Sequence, residues 1–269
     1  MGVDLVDFQA KTCVVTGGAS GIGAACSRAF AKLGANVVIA DVNDEDAQAV
    51  ADEINGRAVH CDVGKQSDIE ATVAIAEDAF GPVDLFFSNA GIATGGDPLE
   101  TDVQAWFDQW DINVMAHVYA IQAVLPGMLD RGSGYLVHTS SMAGILTTHG
   151  NVLYAATKHA VVAIAEWMSI TYHDQGIRTS LLAPLGVNTP MLGNGNRRSS
   201  SARTAVGPIK EPEEVADMVV EAVQNERFLV LTDEIAQTWM DRKNSDLERW
   251  LNGMRRMQRK IDDAKQKGI

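Results

Sequence analysis

Tyr154 and Lys158 stand four residues apart in the stretch Tyr154-Ala155-Ala156-Thr157-Lys158. On a helix that spacing puts a phenol and an ammonium on one face, one turn apart. A neighbouring cation favours the phenolate. Free tyrosine, with a pKa of about 10, needs such help to take a proton near neutrality. The pair therefore offers chemistry for moving a proton on or off an oxygen. Any tyrosine and lysine can fall four apart by chance, so the rest of the chain has to supply the reason for them.

The elements that would position the pair follow from composition. A helix from about Leu153 to His173 carries it. Before it, Gly134 to Thr139 reads as a strand running into Ser140-Ser141-Met142-Ala143-Gly144. At the front of the chain, Thr12-Cys13-Val14-Val15-Thr16 is a buried, β-branched strand. It opens into Gly17-Gly18-Ala19-Ser20-Gly21-Ile22-Gly23, and an amphipathic helix follows with Ile22, Cys26, Phe30 and Leu33 on one face and Gly34 as its stop. Strand, glycine turn and helix are the context of a phosphate cradle. Gly17 permits the tight turn, Gly21 lets backbone approach a pyrophosphate, and Gly23 allows close helix packing.

The next strand, Asn36 to Ala40, ends at Asp41. An acid there can bond an adenosine ribose and repels a 2′-phosphate. Ser20, Val42, Asn43 and Asp44 offer no compensating base, which favours NAD over NADP. Asp41 could also cap the helix that follows. Further strands are expected at Arg57 to Val63, Val83 to Phe87, Ile177 to Ala183 and Arg227 to Leu231. Asp62 and Val63 end the first of these and suit an adenine amino group and ring; Ser88-Asn89-Ala90-Gly91 follows the second. Helices alternate with these strands. One is expected from Gln66 to Ala79, and one from an N-cap at Thr101 to about Leu129, with Trp106, Trp110, Val114, His117 and Val118 as its apolar stripe and Pro126 ending or kinking it. The order predicts an α/β, Rossmann-like doubly wound parallel sheet of about seven strands in three layers. Every motif named falls at the carboxyl ends of the strands.

Residues 188–210 lack a hydrophobic period and read as a lid; from Glu211 a helix resumes with Pro212 in its first turn. The tail, 233–269, is charged, with Trp239, Leu247, Trp250, Met254, Met257 and Ile261 at helical spacing, an apolar stripe to dock on this subunit or a partner. One domain over 1–269 is expected.

A net charge of −13 argues against nucleic acid and anionic lipid as partners. Acids occupy Asp4 and Asp7 where a secretory leader would have bases, and apolar runs such as Ala160 to Ala165 are too short to span a bilayer. Cys13, Cys26 and Cys61 show no pairing and read as reduced core residues, with no metal site. The expectation is a cytoplasmic protein.

Thr16-Gly17-x3-Gly21-x-Gly23, Asn89-Ala90-Gly91, Ser141 thirteen residues before Tyr154, and Tyr154-x3-Lys158 occur in this order. Together they resemble the short-chain dehydrogenase/reductase family of single-domain type, over about Phe8 to Leu231. The resemblance implies Tyr154 as general acid/base, and Lys158 lowering its pKa and bonding the nicotinamide ribose. It implies Ser141 orienting the substrate oxygen and Asn113 in a water-linked proton relay. It implies an NAD site lined by Gly17, Ser20, Ile22, Asp41, Asp62, Val63, Asn89 and Thr189, completed by Gly21, Gly23, Ala90, Gly91, Tyr154, Lys158, Pro184 and Val187. It also implies a homo-oligomer, tetramer or dimer. The chain departs from the family pattern at Ser88, often Asn, and at Leu185, where a glycine usually passes near the nicotinamide. An isobutyl group there could narrow the pocket.

The expected activity is interconversion of a hydrophobic secondary alcohol and its ketone. Ile92, Ala93, Leu146, His149, Val152, Leu185, Met191 and Leu192 are candidate walls, and His149 could bond a polar substituent. Arg197, Arg198 and Arg203 leave open an acyl-CoA or other anionic substrate. An epimerase or dehydratase of the same fold and a non-catalytic dinucleotide sensor are the rival classes.

Overall fold

The computed structural model describes residues 6–192 and 209–266. Seven parallel strands form one sheet in the order β3-β2-β1-β4-β5-β6-β7. They are β1 Thr12–Thr16, β2 Asn36–Asp41, β3 Arg57–His60, β4 Val83–Ser88, β5 Gly134–Thr139, β6 Ile177–Ala183 and β7 Leu229–Leu231. The helices are α1 Gly21–Lys32, α2 Asp44–Ile54, α3 Gln66–Phe80, α4 Val103–Trp110, α5 Ala116–Arg131, α6 Ala143–Leu146, α7 Val152–Tyr172, α8 Pro212–Gln224, α9 Glu234–Ser245 and α10 Leu247–Gln266. Strand order reverses between β1 and β4. The carboxyl ends of these two neighbours therefore open the crevice where such sheets bind ligands.

Alternate strand residues feed two cores, as the period of two requires. Cys13, Val15, Val37, Ile39, Leu85 and Phe87 pack under α1, α2 and α8. Val14, Val38, Phe86 and Leu136 pack under α3 and α5. The sheet is thus covered on both faces, the three-layer arrangement the sequence predicts. All three cysteines are buried thiols, and burial raises the pKa of each, Cys61 to about 11.

Several expectations need correction. Strand β3 stops at His60, three residues early. Cys61 N–H still bonds Asp41 O, but Asp62 N–H turns to the Asp68 carboxylate. The N-cap of α4 is Asp102, accepting from Gln104 N–H at 2.7 Å; the Thr101 hydroxyl is spent on Asp97 O in the preceding turn. Pro126 does not end its helix, which runs on to Arg131 and stops at left-handed Gly132. Pro126 and Gln122, whose carbonyl the ring leaves without its usual donor, both face solvent, while Val124, Leu125 and Met128 stay buried. The expected stripe also breaks. A π-helical turn at Asp111–Met115 adds a residue between α4 and α5 and shifts the phase, so Trp110 is left exposed while Val114 and His117 are buried.

Residues 103–131 are long and apolar enough to cross a membrane by length and composition, which the sequence reading missed. Here the stretch supplies Val114, Ala120, Val124, Leu125 and Met128 to the core. The lid expected at 188–210 falls largely outside the described residues, and Arg197, Arg198 and Arg203 lie there. Its two ends are described and are tied together. Asn188 N–H bonds Lys210 O at 2.9 Å, Lys210 N–H bonds Gly186 O at 3.0 Å, and the Asn188 amide donates to the Glu211 carboxylate.

Candidate active site

Glycines shape the first wall. Gly17 has φ +63°, and a Cβ there would lie 2.9 Å from Ala90 Cα. A Cβ on Gly23 would fall far inside contact with the Gly17 carbonyl oxygen, so α1 presses on the turn itself. Gly21, at φ +50°, would place a Cβ 2.9 Å from Thr189 Cγ2, which brings the segment after β6 over the start of α1. Ser20 is the N-cap of α1 in extended conformation, its hydroxyl makes no capping bond, and no acid stands in the first turn. The first turn of the helix thus carries no acid of its own, and its positive end suits an anion.

Asp41, at the end of β2, accepts from Ala19 N–H through Oδ2 and from Asn43 N–H through Oδ1, each at 3.0 Å. It is not the cap of α2; that is Asn43, accepting from Asp46 N–H at 3.2 Å. Asp41 instead fastens the glycine turn to the second strand and keeps lone pairs for a ribose hydroxyl. Asp62 accepts from Gly64 N–H at 3.1 Å and pairs with Lys65 at 3.1 Å; Val63 beside it is buried. This set fits a dinucleotide: an uncapped helix start for the pyrophosphate, an acid for the ribose, and backbone unobstructed by side chains between them.

The ends of β1, β4 and β5 are stitched by Asn89. Its backbone N–H bonds Thr16 Oγ1 at 2.9 Å, its amide donates to Thr16 O at 3.1 Å, and its Oδ1 accepts from Thr139 Oγ1 at 3.1 Å. The sequence analysis placed Thr16 and Thr139 at strand ends but gave their hydroxyls no part in holding Asn89; a hydroxyl at the last position of the two strands that flank β4 was the available signal. Gln109 was also missed. It is fully buried and holds Thr94 through N–H and hydroxyl at 2.7 and 2.9 Å.

Helix α7 brings the opening pair to this crevice. Asn151 caps it by accepting from Tyr154 N–H at 2.9 Å, and also donates to Thr94 O at 3.3 Å. Ser140 Oγ donates to Lys158 O at 2.8 Å, while Gly144 faces that same carbonyl at a range no side chain allows. Lys158 itself is 2% exposed. Its Nζ donates to Thr139 O at 2.9 Å and lies 5.8 Å from the centre of the Tyr154 ring. Ser141 Oγ accepts from Ala143 N–H at 3.1 Å and lies 3.4 Å from Pro184 O.

The electrostatics differ from the expectation that Lys158 depresses Tyr154. Burial raises the phenol's pKa, opposed by the Ser141 hydroxyl. Burial also pushes Lys158 down, to about 8. The ammonium is turned toward the Thr139 carbonyl, and desolvation outweighs attraction at both groups.

Asn113 sits in the π-helical turn, fully buried. It accepts from Ile92 N–H at 2.9 Å, donates to Ile92 O at 2.9 Å, and donates to Thr157 Oγ1 at 3.1 Å. It joins the segment after β4 to the helix of Tyr154. Below Lys158 lies a buried pair that sequence reading placed only on an apolar stripe and a strand: His117 Nδ1 and His138 Nδ1 are 2.9 Å apart, and burial lowers the pKa of both, His138 to about 4.

Leu185, half-buried, packs against the cluster of Met142, Leu146, Ala183 and Ala236, as do Trp239, Met240 and Trp250 of the carboxyl-terminal helices. The tail thus docks on this subunit through Trp239 and Trp250, although Leu247 remains exposed. Of the other candidate walls, Leu146 is buried, Ile92, His149 and Leu192 are half-buried, and Ala93, Val152 and Met191 are exposed.

Comparison with known proteins agrees with this geometry. The family profile described as short chain dehydrogenase matches residues 11–200. A 2,5-dichloro-2,5-cyclohexadiene-1,4-diol dehydrogenase of Sphingobium indicum is 35% identical over 224 residues, 80% of this chain and 90% of that protein. A cyclohexanol dehydrogenase of an Acinetobacter species is 32% identical over 218 residues, 79% of this chain and 87% of that one. A short chain dehydrogenase/reductase of Burkholderia phymatum, solved in complex with NAD, superposes with a TM-score of 0.82 at 28% identity, covering 91% of this chain and 96% of its own.

Proposed function

The chain belongs to the short-chain dehydrogenase family, whose relatives here are oxidoreductases acting on CH–OH groups, and from that premise we propose that it interconverts a hydrophobic, cyclic secondary alcohol and its ketone with NAD. The observation that carries the reading is the convergence of Ser141, Tyr154 and Lys158 at the carboxyl ends of β5 and β6. NAD, when bound, supplies the hydride acceptor or donor. Gly17, Ser20, Gly21, Ile22, Gly23, Asn89, Ala90, Gly91, Pro184, Val187 and Thr189 would hold it, with Asp41 on the adenosine ribose and Asp62 and Val63 at the adenine.

The residues of the chain then handle the proton. Tyr154, as phenolate, takes the hydroxyl proton of the alcohol, and as phenol returns it to a ketone. Ser141 Oγ holds the substrate oxygen beside that phenol. Lys158, cationic below its pKa of about 8, would hold a ribose hydroxyl of the cofactor, and its charge favours the phenolate. Asn113, by holding Ile92 and Thr157, keeps the relay side of the site in register. Ile92, Val152 and Met191 offer an apolar surface to a ring.

We further propose one catalytic domain, a cytoplasmic setting, and a homo-oligomer. For the last, Trp167 and Ile170 on α7 are 56% and 81% exposed, more than isolated surface residues need. The function is tested by NADH absorbance with a panel of cyclic secondary alcohols. Growth of the band with NAD is expected; no reduction with any alcohol or reverse ketone overturns the reading.

A further inference from the structure

The carboxyl-terminal helices close on the segment that joins Ser141 to Tyr154. Lys243 of α9 donates to Ile145 O at the end of α6. Trp239, Met240 and Trp250 pack against Met142, Ile145 and Leu146. Farther along α10, Gln258 Oε1 meets His149 Nδ1 at 2.8 Å. His149 lies in the short loop between α6 and α7, two residues before Asn151, the cap of the Tyr154 helix.

The amide orientation of Gln258 is fixed from its other side. Its Nε2 donates to Asp262 Oδ1 at 2.8 Å, which leaves Oε1 for the histidine. A carbonyl oxygen only accepts, so His149 carries its proton on Nδ1 and its lone pair on Nε2. That Nε2 is buried and has no partner among the described residues. Trp250 Nε1, a donor on the same helix as Gln258, is likewise buried and unpartnered. Buried polar atoms are rarely left so, and an acceptor whose tautomer is set by two further residues is a built feature. A hydroxyl can donate to that imidazole lone pair.

We infer that His149 Nε2 accepts a hydrogen bond from a second hydroxyl on the substrate, remote from the carbinol being oxidised, with Gln258 and Asp262 of the tail as positioning residues. This rests on the dehydrogenase reading for turnover, but not for binding. The tail thereby selects diols and hydroxyketones over simple alcohols. A hydroxyl-bearing ring would place one oxygen between Ser141 and Tyr154 and the other at His149.

The experiment uses the full chain, with cyclohexanol and trans-1,4-cyclohexanediol as probes, and reads both NADH formation and calorimetric binding to the NAD-loaded protein. The wild type is expected to favour the diol by at least ~tenfold in kcat/KM and in affinity. His149→Phe lowers the diol values by at least ~tenfold more than the cyclohexanol values, and Gln258→Met narrows the ratio by a smaller factor because either tautomer is then open. His149→Gln, which keeps an acceptor near the position of Nε2, retains most of the ratio. Equal affinity of the wild type for both probes overturns the inference, as does a His149→Phe loss that is the same for both. Diol binding that depends on His149, with no NADH from either probe, upholds this subsite and overturns the hydride-transfer reading instead.

Discussion

At the β1–α1 turn, side chains are kept out. Gly17, Gly21 and Gly23 each face neighbours at distances that exclude a Cβ, and the polar groups there belong to backbone, Thr16, Ser20, Asp41 and Asn89. Between α6 and the two carboxyl-terminal helices, side chains make the wall: Leu185, Trp239, Met240 and Trp250 against Met142 and Leu146, with Gln258 on His149. The first region is specified by what is absent, and few sequences satisfy it. The second is specified by volume and apolarity, which many sequences satisfy. A ligand common to many enzymes suits the first kind of wall, and one particular to this chain suits the second.

The comparison can be broken at the seam between the two regions, where Tyr154 stands. Tyr154→Phe should lower kcat/KM at least ~100-fold while leaving NAD affinity within about twofold, since the lost group moves a proton and binds little. Steady-state kinetics with NAD titration checks both halves of that statement. On the packed side, Trp250→Ala should reduce the stability of the protein by about 2 to 3 kcal/mol, the scale of a large truncation at a partly buried site, and should raise KM for alcohols without altering NAD affinity. Urea unfolding and cofactor titration test it; a matching loss of NAD affinity would mean that the two walls are not independent.

Lys158 sharpens the picture through pH. Burial lowers its pKa to about 8 from the 10.5 of a free lysine. Between those values the unfolded chain holds more protons than the folded one, so this group's contribution to stability rises with pH across that window and is flat outside it. Lys158→Met removes the effect. The stability of the variant relative to wild type should be most favourable below pH 8 and decline by about 3 kcal/mol toward pH 10.5. Denaturation at the two ends of the window reads the sign. The smallest effect is on cofactor choice: Asp41→Ala should shift the NADP-to-NAD ratio of kcat/KM upward by about tenfold, and a ratio that does not move would remove the ribose from the account of Asp41.

Much of the sheet was legible because buried strands and their turns are local signals. β1, β5 and β6 have the expected bounds, and the glycine turn, Asn89 and the Tyr154–Lys158 pair converge at strand ends as their order implied. Where the reading failed, the cause was tertiary. No residue type announces the π-helical turn at Asp111–Met115, so the phase of the stripe through Trp110 was misread. The Gln258 contact to His149 spans 109 residues and leaves no mark in either neighbourhood. The opposition between burial and attraction at Tyr154 also needed coordinates, because spacing tells which groups are near but not how far each is desolvated.

The central claim is that a hydride leaves a carbinol carbon of a bound alcohol while Tyr154 takes the hydroxyl proton. The most direct measurement supplies cyclohexanol, or the cyclohexanediol above, deuterated at the carbinol carbon, and analyses the reduced cofactor by mass spectrometry. The account predicts reduced cofactor carrying one deuterium in wild type and almost none formed by Tyr154→Phe in the same interval. Reduced cofactor without deuterium, or equal formation by the variant, would contradict it.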